Sequence, residues 1–158
     1  MSQHTRRSFL RNTTTGTAAA LGTLAVPSVQ ARGSADGFVM GMIGCSNRGI
    51  AVGQELRKLG VRIAYVCDPD ANRAERAQKS LGADHAVADL RKILDDGAVD
   101  AVAIVAPNHW HAPAAILACQ AGKHVYVEKP CSHNIAEGRR MIEAARRTGM
   151  VMQVGSQI

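Results

Sequence analysis

Two kinds of segment alternate along this chain from residue 38 onward. Short runs of apolar, often β-branched residues are typical of buried strands, and each is followed by apolar residues at helical spacing. The predicted strands are 38–43, 61–67, 85–87, 100–105, 124–127 and 151–154, and the predicted helices are 50–59, 71–81, 90–94, 112–121 and 135–147. Strands that are apolar on both faces need helices on both sides. The pattern therefore predicts an α/β fold, a doubly wound parallel sheet in three α/β/α layers.

The stretch FVMGMIGCSNRG, residues 38–49, joins the first strand to the first helix. Gly44 permits a tight turn, and Gly49 lets the helix pack close to the sheet. Such a junction points backbone N–H groups and the positive end of a helix dipole at one small volume where a phosphate can bind. Ser46 stands where G-x-G-x-x-G has its middle glycine, so its Cβ approaches the phosphate and its hydroxyl can donate to it. Alone, this imperfect fingerprint is equally compatible with a plain strand–helix turn.

Asp68 ends the second strand, about 20 residues beyond Gly49, where a carboxylate accepts hydrogen bonds from the adenosine ribose hydroxyls of a dinucleotide. A carboxylate there repels a 2′-phosphate, which favours NAD over NADP, although Arg73 keeps NADP possible. The alternative role for Asp68 is a turn-forming aspartate before Pro69. Because right-handed crossovers bring all the strand C-termini to one edge, Asp68 and the glycine turn should meet there with the loop 107–111 and Lys129.

The most specific motifs lie between residues 100 and 157. They are Pro-Asn-x-x-His at Pro107, Asn108 and His111, and Glu-Lys-Pro at Glu128, Lys129 and Pro130. With the glycine turn and Asp68, they resemble the Gfo/Idh/MocA family of oxidoreductases, relatives of glucose–fructose oxidoreductase and inositol dehydrogenase, over about residues 38–158. Ser46 departs from the family pattern, as does Ala106, where the family often has threonine.

This resemblance implies a Rossmann-type NAD(P)-binding domain of an enzyme that transfers hydride to or from a CH–OH group of a sugar or polyol. It places Lys129 beside the nicotinamide as the catalytic residue, where a lysine can exchange a proton or stabilise an alkoxide. Glu128 would orient that lysine; the alternative for Lys129 is an ordinary surface lysine. The expected cofactor-binding residues are Gly44, Ser46, Asn47, Arg48, Gly49, Asp68, Pro107, Asn108, His111, Glu128 and Lys129.

Residues 1–31 hold three arginines and no acidic residue, so they carry half of the net charge of +6. Aromatic residues make up 3%, so base-stacking platforms are scarce and we expect no nucleic-acid partner. Residues 1–31 have the basic, apolar and small-residue zones of an export signal, with adjacent arginines at Arg6 and Arg7. They resemble the twin-arginine leaders of the family's exported branch, which implies the export machinery as a partner and a periplasmic location. Residues 32–37 would be a linker; the alternative is a basic leader without an export role.

Four cysteines are scattered without paired spacing, so no disulfide framework is expected. Two histidines, His109 and His111, could meet Cys131 and His133 at a zinc ion, but this spacing is not that of a typical zinc site, and we expect no metal. We expect Trp110 and the histidines to line the substrate side of the crevice instead.

Family members continue into a second α/β domain that completes the substrate pocket, and we expect residues 38–158 to lack it and not to be catalytically complete alone. The resulting exposed apolar surface makes a homo-oligomer possible. One alternative function is a non-catalytic NAD-binding module that senses redox state or completes its site with a partner chain. Another is a Rossmann-type methyltransferase using S-adenosylmethionine, against which the two motifs argue.

Overall fold

The computed structural model describes residues 37–156, so the predicted export signal and most of the predicted linker lie outside the described residues. Strands and helices alternate as the apolar pattern predicts. In chain order they are β1 Val39–Ile43, α1 Asn47–Lys58, β2 Arg62–Cys67, α2 Ala71–Leu81, β3 His85–Val87, α3 Arg91–Leu94, β4 Ala101–Ile104, a 3₁₀ turn Asn108–Trp110, α4 His111–Gln120, β5 His124–Val127, α5 Ile135–Thr148 and β6 Met152–Val154. Within this range, no helix has the length and apolar character needed to cross a bilayer.

The six strands form one parallel sheet in the order β3-β2-β1-β4-β5-β6. Strand β1 lies between β2 and β4, so that Met42 pairs with Val66 on one side and with Ala103 on the other. Chain order reverses at β1, because β2 and β3 extend to one side and β4 to β6 to the other. The predicted doubly wound fold is confirmed, and a crevice is expected above the carboxyl ends of β1 and β4.

Both faces of the sheet are buried, which explains why its strands are apolar at successive positions and not only at alternate ones. On one face, Met42 and Val66 pack with Val52 of α1 and Leu81 of α2. The other face packs against the alanine-rich α4 and against α5, through Ala112, Ala115, Ala118, Val102, Ile104 and Met141. Small side chains let α4 lie close to the strands. Its N-terminus is at the same edge as the carboxyl ends of β4 and β5.

Local signals for helix ends are confirmed at two helices. The side chain of Asp70 accepts a hydrogen bond from the Asn72 N–H at 3.0 Å and caps α2, which ends at Gly82 with φ +58°. Asn134 accepts from the Glu137 N–H at 2.9 Å and caps α5. Helix α1 differs, because it begins at Asn47, three residues before the expected start at Ile50. The Ser46 carbonyl already accepts from the Ile50 N–H at 3.0 Å, so the Ser-Asn-Arg segment belongs to the helix N-terminus and not to a longer turn.

Candidate functional site

A cleft of about 400 Å³ opens at the carboxyl edge of the sheet, where the chain order reverses. Its walls come from all four segments that the sequence places there. The lining residues are Gly44, Cys45, Ser46, Arg48, Asp68, Arg73, Val105, Ala106, Pro107, His111, Glu128 and Lys129. Eight of the expected cofactor-binding residues are among them, whereas Asn47, Gly49 and Asn108 are not.

The glycine turn is closed by backbone contacts that leave no room for a side chain. Gly44 has φ +95°, and a Cβ on it would lie 2.5 Å from the Val105 carbonyl oxygen. A Cβ on Gly49 would overlap the Gly44 carbonyl oxygen. Gly44 also donates its N–H to the Cys67 carbonyl at 2.8 Å, which ties the turn to the end of β2. Gly44 therefore permits the turn and Gly49 permits close helix packing, as the sequence predicts.

The N-terminus of α1 faces this cleft without a side-chain cap. Ser46 is the N-cap residue, its hydroxyl makes no capping hydrogen bond, and the first turn holds no acidic residue. The side chain of Ser46 lines the cleft, so the hydroxyl can serve as a further donor there. Backbone N–H groups and the positive end of the helix dipole are the usual means by which a helix binds phosphate. The turn thus has the donor set of an anion site.

Asp68 is buried at the end of β2, and its carboxylate braces the glycine turn. One oxygen, Oδ2, accepts from the Cys45 N–H at 2.9 Å, and the other, Oδ1, accepts from the Asp70 N–H at 3.0 Å. Both readings of the sequence therefore have support, since Asp68 forms a local turn and also lines the cleft. A carboxylate has about four lone-pair sites, so two remain for hydroxyl donors. Its ribose contact stays a prediction.

Glu128 is buried and accepts hydrogen bonds from three donors. They are Arg48 Nη2 at 2.6 Å, the Tyr126 hydroxyl at 3.0 Å and the Lys129 backbone N–H at 3.1 Å. The carboxylate contacts Lys129 through its main-chain N–H and joins β5 to α1 through Arg48, so the role of Glu128 in orienting the lysine stays a prediction. Sequence reasoning missed Tyr126, although strand alternation places residues two apart on the same face and so puts Tyr126 beside Glu128.

Lys129 is exposed at the mouth of the cleft, directly before a cis Lys129–Pro130 peptide bond. Within residues 37–156, its ammonium has no hydrogen-bond or ion-pair partner. A lysine in a cleft with no fixed partner is available to a bound ligand. The ordinary surface role and the catalytic role are both compatible with this exposure.

His111, expected to contact the cofactor, is 2% exposed and has both ring nitrogens within hydrogen-bond distance of backbone carbonyls. It adds ring surface to the cleft wall and keeps no free nitrogen for a ligand. Asn47 directs its side chain elsewhere, since its carbonyl oxygen accepts from Arg76 Nη2 of α2 at 3.2 Å. Asn108 and Trp110 are exposed in the 3₁₀ turn beside the cleft. The contacts predicted for Asn47 and Asn108 would require side chains directed into the cleft, where the structure does not place them.

The cysteines in and near the cleft are held as neutral thiols. Burial, reinforced by the neighbouring Asp68 carboxylate, raises the pKa of Cys45 from 9.0 to about 12, and the same two causes raise the pKa of Cys67 to about 12. Cys131 is exposed. In the described part of the chain, no group of three or more His, Cys, Asp or Glu side chains is arranged to hold a metal ion.

Residues 38–156 match the family model GFO_IDH_MocA, described as an oxidoreductase family with an NAD-binding Rossmann fold. The chain is 35% identical over 96 residues to scyllo-inositol 2-dehydrogenase (NAD(+)) of Bacillus subtilis, and the matched region covers 61% of this chain and 28% of that protein. It is 30% identical over 117 residues to myo-inositol 2-dehydrogenase of Thermotoga maritima, covering 73% of this chain and 35% of the relative.

Solved structures with the same fold include an NAD binding oxidoreductase from Klebsiella pneumoniae, with a TM-score of 0.71 and 35% identity over 75% of this chain and 34% of that one. A levoglucosan dehydrogenase in complex with NADH is 27% identical, with a TM-score of 0.68, over 75% of this chain and 34% of the other. The chain spans about a third of the length of the relatives it matches.

Proposed function

The chain belongs to the Gfo/Idh/MocA oxidoreductase family, with residues 38–156 forming the family's NAD-binding Rossmann domain, and from this we propose that it supplies the dinucleotide site of an enzyme that oxidises a CH–OH group of a sugar or polyol. The observation that carries the proposal is the convergence of the glycine turn, Asp68, Pro107 and Lys129 on one cleft at the point where strand order reverses. Dinucleotides bind doubly wound sheets at this point.

The residues present fit a nicotinamide dinucleotide. Close backbone packing at Gly44 and Gly49 fixes the shape of the turn, and the uncapped N-terminus of α1 supplies donors for a pyrophosphate. Asp68 has lone pairs left to accept hydrogen bonds from the adenosine ribose. Pro107 and Lys129 line the same cleft. When bound, the nicotinamide supplies the hydride acceptor, and the protein supplies binding, orientation and proton management.

We propose a preference for NAD over NADP. The buried Asp68 carboxylate repels a 2′-phosphate, whereas Arg73, the cation nearest in sequence that lines the cleft, is paired with Asp70 at 3.4 Å. The test is a fluorescence titration of the full chain with NADH and with NADPH, with S-adenosylmethionine as a competitor. We expect saturable one-site binding of NADH, weaker binding of NADPH and no competition. A chain that shows no saturable NADH binding, or from which S-adenosylmethionine displaces the nucleotide, would contradict the proposal.

Lys129 is proposed to exchange a proton with the reacting hydroxyl or to stabilise the alkoxide formed from it. We expect Lys129→Ala to lower turnover by about 10²–10⁴-fold, the usual contribution of a positioned proton-transfer group, and to leave the NADH Kd within about threefold. The measurement is NAD reduction by the complete enzyme, with the domain that completes the substrate pocket present and with inositols and levoglucosan as trial substrates, together with the NADH titration. Lys79→Ala, an exposed lysine of α2, is the matched control. Wild-type turnover in Lys129→Ala would remove this residue from the mechanism.

We also propose that residues 1–31 direct export through the twin-arginine route to the periplasm. Support comes from the adjacent arginines Arg6 and Arg7, the following apolar stretch and the small-residue end at Ala31. This route carries folded proteins, which would let a dinucleotide bound in the cytoplasm leave with the chain. Cell fractionation should find wild type in the periplasm and an Arg6→Lys, Arg7→Lys double variant in the cytoplasm. Equal distribution of the two would contradict the export role.

A further inference from the structure

His111 lies where three parts of the cleft meet. It is the first residue of α4, it is 2% exposed, and its ring lies between two loops. Nδ1 is 2.6 Å from the Pro130 carbonyl oxygen, and Nε2 is 2.8 Å from the Ala106 carbonyl oxygen. Ala106 follows β4 and precedes Pro107, whereas Pro130 follows Lys129 directly. The ring therefore connects the two loops that border the proposed nicotinamide end of the cleft.

Both oxygens are carbonyl acceptors, so a ring N–H can donate to either of them. Which nitrogen donates depends on the tautomer, and in either tautomer the ring lies within hydrogen-bond distance of both loops. A side chain without an N–H donor at position 111 therefore leaves both carbonyls without a donor from the start of α4.

We propose that His111 is a positioning residue, a clasp that holds the loop after β4 against the loop after β5 and so fixes the backbone next to Lys129. Lys129 itself is exposed and has no partner within residues 37–156 that would fix its position. The position of its ammonium then depends on the backbone, which is held on one side by Glu128 at the Lys129 N–H and on the other by His111 at the Pro130 carbonyl. The consequence for catalysis rests on the proposed function, whereas the clasp does not.

A different result is expected if the His111 ring only fills space. Its shape alone would then matter, and a phenylalanine of similar outline could replace it with little effect on the position of Lys129. A clasp needs a donor, because without a ring N–H the hydrogen bond between the ring and a loop is lost and the loops can separate. A glutamine has a donor amide and can satisfy one carbonyl.

The first test asks whether a ring N–H of His111 is held in a hydrogen bond in the ligand-free full chain. NMR of ¹⁵N-histidine-labelled protein, with His111 assigned by loss of its signals in His111→Gln, detects a ring N–H only where it is protected from exchange with water. We expect a protected ring N–H for His111. A ring N–H that exchanges rapidly in the folded wild type would overturn the clasp, whether or not the chain binds a dinucleotide.

The second test separates position from binding in the NAD-reduction assay of the complete enzyme, with the domain that completes the substrate pocket present. We expect His111→Phe to lower turnover by about 10–100-fold, the size expected when a catalytic group shifts by about 1 Å, and to leave the NADH Kd within about threefold. His111→Gln should recover part of the lost turnover, and His133→Gln, at an exposed histidine of the same loop region, should match wild type. Wild-type turnover in His111→Phe would overturn the positioning role. If His111→Phe does not fold, the ring N–H measurement in the wild type decides.

Discussion

Replacing Gly44 with alanine is expected to abolish saturable NADH binding and to cost more than about 3 kcal/mol of unfolding free energy. The backbone has φ +95°, a conformation that costs a residue with a Cβ roughly 1–2 kcal/mol. The added methyl would also lie 2.5 Å from the Val105 carbonyl oxygen and 2.6 Å from its carbon. This backbone cannot yield locally, because the Val105 N–H donates to the Ile43 carbonyl at 2.7 Å and so holds β4 to β1. Relief of the clash must open the turn that borders the phosphate position.

Gly60→Ala is the matched control, since Gly60 has φ +85° but no atom within 4 Å of the position of an added Cβ. It isolates the backbone strain from the clash. We expect a loss of about 1–2 kcal/mol and an unchanged NADH Kd. Urea unfolding and NADH titration of both variants make the measurement. Equal losses of stability and binding in the two variants would show that conformation alone, and not close packing on β4, requires glycine at position 44.

Much of this fold follows from local sequence signals. Apolar positions on both faces of short strands require a covered parallel sheet, and Asp70 and Asn134 mark helix starts through side chains that bond N–H groups two or three residues away. The start of α1 is the exception, because the Ser46 carbonyl accepts a hydrogen bond from the helix, whereas the Ser46 hydroxyl makes no capping hydrogen bond. A local pattern predicts a cap well only where the side chain makes the bond.

The parts that the sequence does not predict are long-range pairs between polar groups. Arg48 and Glu128 are 80 residues apart and meet because α1 and β5 end at the same edge. Lys123, 5% exposed at the opposite edge, donates to the carbonyls of Asp96 at 2.6 Å and Val99 at 2.9 Å. No spacing rule marks such contacts, since tertiary geometry selects the partner. For the same reason, the Glu-Lys-Pro motif does not predict that Glu128 binds Arg48.

Asp68 combines two roles that sequence reasoning treats as alternatives. Its carboxylate accepts from one N–H in the glycine turn, at Cys45, and from one N–H in its own turn, at Asp70. The same group that would bind the ribose therefore holds the phosphate turn in place beside it. Binding of the dinucleotide and stability of the turn should consequently be lost together when this carboxylate is changed.

Asp68→Asn is expected to lower the free energy of unfolding by about 1–3 kcal/mol, because an amide NH₂ would face either the Cys45 N–H or the Asp70 N–H, leaving a buried donor unsatisfied. We expect NADH affinity to fall about 10–100-fold, which corresponds to about 1.4–2.8 kcal/mol. The preference for NADH over NADPH should narrow, since the charge that repels a 2′-phosphate is gone. Urea unfolding and parallel titrations with both nucleotides measure these effects.

Asp70→Asn makes the same chemical change two residues away and serves as the control. Asp70 is exposed and caps α2 through its side-chain oxygen, a role that asparagine fills about equally well. Its pairing with Arg73 is at the surface, where an ion pair contributes about 0–1 kcal/mol. We therefore expect a small change in stability and an unchanged NADH Kd. If both variants bind NADH as the wild type does, Asp68 only braces the turn, and its assignment to the ribose must be given up.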